Sequence, residues 1–138
     1  MDLVTCMMGT YNHIHPELRA ALLSEVIRVL EYGALGAFGI WDEDCPFQSY
    51  LRMYSEDERE LLRRQQTTQR AFGEIACSVG FSSVRTVSFN CFPDRLVYDL
   101  GLQQVTRRDV ERLAAVDLGA RGRHPRWAGQ MFLAICRK

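Results

Sequence analysis

The spacing of apolar residues switches repeatedly between strand-like and helix-like along this chain, and that alternation limits the folds open to it. Residues 2–7, "DLVTCM", read as a buried strand that begins one residue after Met1. In "PELRAALLSEVIRVL", Leu18, Leu22, Val26, Val29 and Leu30 recur at helical spacing. Pro16, with His15 before it, suits the first helical turn, and Gly33 ends the helix. "ALGAFGIW" (34–41) is short, apolar and ends on an aromatic residue, as in a strand buried on both faces. A polar loop, "DEDCPFQSYLRMY", follows. Ser55 and Glu58 have capping-box spacing and open a long helix over about 56–79, with Gln66 on its solvent face and Gly80 at its end. "SSVRTVSF" (82–89) alternates like a strand.

The stretch 90–129 is less regular. "DRLVYDLG" suits a short helix, and "TRRDVERLAAVDLG" a better one, with Thr106 as N-cap and Gly119 just past its end. "ARGRHPRWAG" reads as a basic loop, and "QMFLAICRK" as a final strand.

Strands separated by helices imply an α/β fold with a largely parallel sheet. A last strand with no helix after it implies a reversal at the sheet edge, antiparallel to the rest. At 138 residues the chain is expected to form one domain, 1–138. Seventeen basic residues balance seventeen acidic ones, so no nucleic-acid footprint shows. There is no membrane-length apolar run and no signal peptide, and the implied location is the cytoplasm. Cys6, Cys45, Cys77, Cys91 and Cys136 are scattered and never in C-x-x-C spacing, so neither a metal site nor a disulfide frame is expected. The densest glycine run, Gly33 to Gly39, falls in and just before an expected strand, where close backbone packing explains it better than a phosphate loop.

Four segments together carry a family resemblance: "DLVTCMMGTYNHI", "LLSEVIRVLEYGALGAFGIWD", the long helix ending "ACSVGF", and "FLAICRK". In this order the chain resembles the C-terminal half of a class I S-adenosylmethionine-dependent methyltransferase, strands 4 to 7 with their helices. The resemblance implies a partial Rossmann-like sheet with strands 4, 5 and 6 parallel and strand 7 antiparallel. The family usually has two adjacent glycines where this chain has Tyr32-Gly33. Its Gly-rich strand-1 turn and strand-2 acid, which hold the cofactor, have no counterpart here. The sheet order of the family is 3-2-1-4-5-7-6, so strand 4 would stand as an edge. Nothing in "DLVTCMM" blunts such an edge: it has no Pro, no Lys and no charge after Asp2. The sheet is therefore expected to be completed by a partner chain that supplies strands 1–3 and binds most of the S-adenosylmethionine.

In open α/β sheets, ligands sit beyond the carboxyl ends of the strands. By position in the resembling family, Cys6, Met7, Gly9 and Asn12 would face the cofactor, with Asn12 and His13 where donor and acceptor meet. His13 is the candidate general base, because an imidazole titrates near neutrality, and it competes with a plain capping role. Tyr11 is a candidate catalytic residue or a core residue. Trp41 and Asp42, at the second strand end, are candidates for acceptor binding; the alternatives are packing for Trp41 and a solvated loop for Asp42. "RGRHPRW" is a solvated loop or a clamp for an anion, and 90–129 is an inserted lid or docking region.

The function expected is a subunit of a split methyltransferase acting on a small molecule and supplying the acceptor side of the site. Two alternatives stand beside it: a non-catalytic accessory subunit of a complete methyltransferase, and a homodimeric α/β binding module paired through the first strand.

Overall fold

A computed structural model of the chain describes residues 1–7, 9–45, 54–89, 106–109, 111, 112, 115 and 131–138. Its strands are β1 (Leu3–Cys6), β2 (Leu35–Trp41), β3 (Ser83–Phe89) and β4 (Met131–Arg137). Its helices are α1 (Arg19–Val29), α2 (Glu56–Gln65) and α3 (Gln69–Ser78), with short 3-10 turns at Thr10–His13 and Pro16–Leu18.

The four strands form one mixed sheet in the order β1-β2-β4-β3. β1 runs parallel to β2, in register from Leu3 beside Leu35 to Cys6 beside Phe38. β4 is antiparallel to both of its neighbours. It reverses direction as expected; it lies inside the sheet, where the order 4-5-7-6 of the resembling family puts the last strand, and not at the edge that the missing final helix suggested. The reason is its composition: Met131, Phe132, Ala134 and Cys136 are all buried, and such a strand belongs between two others.

The core lies on one face of the sheet. Register places Gly36, Phe38, Ile40, Phe132, Ala134 and Cys136 on that face, with Val4 and Cys6 of β1 alongside them. Leu23 and Val26 of α1 and Phe72 and Ala76 of α3 pack over it. Phe72 sits 5.5 Å from Phe38 and 6.0 Å from Phe132, centroid to centroid, in tilted and edge-on pairs. Gly36 is needed where it stands, since a Cβ there would come within 2.9 Å of the Phe38 ring. The buried stripe of α1 is centred on Leu23, Val26 and Leu30. Leu18, counted in that stripe from spacing, is exposed because it ends the 3-10 turn before the helix. Lys138 closes α1, donating from Nζ to the carbonyls of Ile27 (2.8 Å) and Leu30 (2.7 Å) where the helix dipole favours a cation.

The long helix expected over 56–79 is two helices. Ser55 and Glu58 form the reciprocal capping box that starts α2. The chain then leaves the helix at Gln66, and Thr68 accepts from the Ala71 N–H (3.0 Å) to start α3. Gln66 is correspondingly 6% exposed and does not sit on a solvent face. Thr67 bridges in parallel to Asp42 and is buried too. Of the region 90–129, the described residues 107–109, 111, 112 and 115 are helical, and Thr106 Oγ1 bonds the Asp109 carboxylate at 2.5 Å. The remaining expectations for 90–129, including the lid, the short helix and the "RGRHPRW" loop, lie outside the described residues.

Candidate functional site

Beyond Cys6 the chain has to turn back over the end of β2. Gly9 makes that turn in the left-handed region (φ 73°) and donates its N–H to the Gly39 carbonyl at 3.0 Å. The Trp41 indole lies directly against it: a Cβ on Gly9 would fall 2.0 Å from Trp41 Nε1. Gly9 is thus required both by its φ and by the approach of an aromatic ring.

The 3-10 turn Thr10–His13 then aims Asn12 inward. Its Oδ1 accepts the Trp41 N–H (2.8 Å), and its Nδ2 donates to the carbonyls of Trp41 (3.3 Å) and Gln65 (3.1 Å). The amide takes the place of a neighbouring strand at the last residue of β2 and ties it to the end of α2. Arg19 completes the tie. Its Nε donates to the Ile14 carbonyl (3.2 Å), and its Nη2 donates to Gln65 and Asn12 carbonyls. The guanidinium stacks 5.1 Å from the Tyr11 ring centroid. Burial lowers the Arg19 pKa from its ordinary value, opposed by its interaction with Tyr11. Among the described residues its charge is met by carbonyls and a ring, with no carboxylate.

Asp42 anchors the other side. Its Oδ2 accepts from Gln69 Nε2 (3.0 Å) and its Oδ1 from the Asp44 N–H (3.2 Å). Gln69 Nε2 also reaches Ser88 Oγ at 2.8 Å. Asp42 is 1% exposed, and burial raises its pKa against the lowering effect of these hydrogen bonds. It joins the end of β2 to the break between α2 and α3.

These contacts leave a cleft between the strand ends and α2, lined by Asn12, His13, Trp41, Tyr54, Leu62 and Gln66. Three residues expected from the sequence therefore meet at one site: Asn12, His13 and Trp41. His13 is exposed and Trp41 half-buried.

The others are placed differently. Tyr11 is fully buried, packed edge-on against Phe38 and Phe72 at 6.3 and 5.1 Å. Its hydroxyl has no hydrogen-bond partner among the described residues, and burial pushes its pKa up to about 12. It is a core residue, since the ring fills the space between sheet and α3 and leaves an acceptor no path to the oxygen. Asp42 is enclosed and engaged on both oxygens, away from the cleft lining. Gly9 and Asn12 are committed to internal contacts, so neither turns a free polar group outward. Cys6 is half-buried against the core, and burial raises its pKa. Met7 stands 43% exposed just past the end of β1.

Tyr54, Leu62 and Gln66 were missed. A continuous helix over 56–79 puts Gln66 in solvent; the signal against it is "QQTTQ", where two β-branched threonines disfavour helix and Thr68 sits at an N-cap. Among the described residues no cluster of His, Cys, Asp and Glu could hold a metal ion, and no helix is long and apolar enough to cross a membrane.

No protein-family model matches the sequence, and no curated protein matches it. Solved structures do match. One is a SAM-dependent methyltransferase from Archaeoglobus fulgidus, with TM-score 0.62 and 16% identity, over 100% of this chain and 59% of that one. A SAM-dependent methyltransferase of Thermotoga maritima, described as a possible histamine N-methyltransferase, matches with TM-score 0.60 and 13% identity, over 99% of this chain and 56% of its own. Phosphoethanolamine N-methyltransferase 2 of Haemonchus contortus, solved with S-adenosyl-L-methionine, matches with TM-score 0.57 and 14% identity, over 99% of this chain and 33% of its own. The chain thus spans between 33% and 59% of the length of these structures. The likeness establishes an α/β, methyltransferase-like fold for the part that the chain spans.

Proposed function

We propose that the chain is the acceptor-side half of a split S-adenosylmethionine-dependent methyltransferase acting on a small molecule, completed by a partner subunit that lays a strand beside β1 and holds most of the cofactor. One observation carries this reading. β1 pairs with β2 on one side and, among the described residues, with nothing on the other, while Leu3 within it is 55% and Met7 just past its end 43% exposed. An open edge of this kind invites strand addition.

The chain's own residues offer a cofactor one wall and no more. Met7 and Thr10 border the open end of β1, but Asn12 and Asp42 have spent their polar groups on the fold, so holding the cofactor falls to the partner. What this chain supplies is acceptor placement. Trp41 and Tyr54 give flat surfaces against which an acceptor is oriented, and His13 stands exposed at the rim to take its proton.

The test uses the complex isolated intact. It should transfer methyl groups from S-adenosylmethionine, and His13→Ala should lower turnover while sedimentation stays unchanged. The lone chain should show little or no S-adenosylmethionine binding by titration calorimetry; tight saturable binding would overturn the division of labour. Full activity in His13→Ala would favour an accessory subunit, and a stable homodimer paired through β1 would favour a binding module.

A further inference from the structure

We infer that the cleft takes an uncharged, planar acceptor, a phenol or an aromatic-ring N–H, and that Trp41 and Tyr54 select it. This rests on the methyltransferase reading above and narrows its acceptor. The six described lining residues, Asn12, His13, Trp41, Tyr54, Leu62 and Gln66, include no Asp, Glu, Lys or Arg. Among the described residues, charged side chains beside this site are engaged elsewhere: Arg59 Nε donates to the Tyr54 carbonyl (2.9 Å) and its Nη1 to Glu56 (3.2 Å). The Arg19 guanidinium is buried and donates to the carbonyls of Ile14, Asn12 and Gln65. The Asp42 carboxylate accepts from Gln69 and the Asp44 N–H and does not border the cleft.

A carboxylate or phosphate acceptor is held by cations or by converging N–H donors. Asn12 cannot serve as such a donor, because its Nδ2 is spent on the Trp41 and Gln65 carbonyls. A protonated amine is best held with an anion beside it, and among the described residues no carboxylate lines this cleft. What the lining does offer is an indole, a phenol ring and the Leu62 side chain, with the His13 imidazole at the rim. That combination favours ring stacking and one proton exchange.

The test compares three probes of one shape against the intact complex: 2-naphthol, 2-naphthoate and 2-naphthylmethylammonium. Binding is read from tryptophan fluorescence in a Trp127→Phe background, leaving Trp41 as the chain's reporter. Naphthol should bind at least tenfold more tightly than either charged probe, and Tyr54→Ala should weaken it by about tenfold. Tyr54 is 41% exposed, so this variant should fold. Titration calorimetry on Trp41→Phe should show a smaller loss, because a ring remains. Equal or tighter binding of naphthoate would reveal a cationic site and overturn the inference. Equal or tighter binding of the ammonium probe would make the two aromatic residues a cation cage and overturn it too. Naphthol binding with no methyl transfer to any phenol would leave the acceptor class standing and remove the methyltransferase reading. Methyl transfer to a charged acceptor with no naphthol binding would do the reverse.

Discussion

Removing one buried oxygen should make this protein more stable. Tyr11 is fully buried, and its hydroxyl has no hydrogen-bond partner among the described residues. A buried polar group left without a partner costs about 1–3 kcal/mol. Tyr11→Phe removes that cost and keeps the ring in its edge-on contacts with Phe38 and Phe72. Against it stands the small void left by one oxygen atom, roughly 0.3 kcal/mol at the measured cost of cavity volume. The net expectation is a gain of about 1–2 kcal/mol, or roughly 3–8 °C in melting temperature for a domain of this size. Urea unfolding, followed by circular dichroism, measures it. The pH dependence supplies a second signature. Burial raises the folded-state pKa of this phenol to about 12 from an ordinary 10. The neutral form is therefore favoured by folding, and the associated stability is present below pH 10 and lost as pH rises through about 12. The gain from Tyr11→Phe should accordingly widen in that window. A variant less stable than the parent by 1 kcal/mol or more would refute the reasoning and mean that the hydroxyl is held by a donor or acceptor.

Other perturbations test neighbouring parts of the fold. Gly9→Ala should destabilise by at least 1–2 kcal/mol from its left-handed φ alone, and should shift Trp41 fluorescence as the indole is displaced. If a partner strand pairs with β1 as proposed, Leu3→Lys on its exposed side should prevent that assembly, whereas Ser24→Lys on the exposed part of α1 should not; sedimentation separates the two outcomes. Val4→Lys is a poorer probe, because Val4 packs against the core and its loss would confuse folding with assembly. Thr68→Ala removes the N-cap of α3 and should cost about 0.5–2 kcal/mol by urea unfolding. Cys136, raised by burial to about 12 from an ordinary 9, should add its own alkaline loss: stability present below pH 9 falls as pH rises through about 12, and Cys136→Ala should remove that component.

Much of the site was legible from local chemistry and part of it was not. His13, Asn12 and Trp41 could be placed together because strand ends in α/β sheets gather at one side. Tyr11 directly precedes Asn12 in sequence yet points the other way, into the core. A 3-10 turn sends successive side chains in different directions, and only the packed neighbours decide which direction is interior. Asp42 is adjacent to Trp41, yet the bridge to Thr67 and the reach of Gln69 pull it out of the cleft. Gln66 entered the site because the helix breaks there and turns its side chain inward.

The sequence by itself determined the element types and their order. Apolar spacing, the Ser55–Glu58 capping box and the glycines at 33 and 80 are local signals, and each acts within a few residues of itself. Tertiary structure decided the rest: the register of β4 against β2 and β3, Arg19 buried against carbonyls, and Gln66 turned from solvent to interior. The physical reason is that these outcomes depend on partners from 46 to more than 90 residues away, as with Arg19 and Gln65 or β2 and β4. Spacing along the chain shows that a residue wants burial or a hydrogen bond; which distant group satisfies it is settled only when the sheet closes and the helices dock.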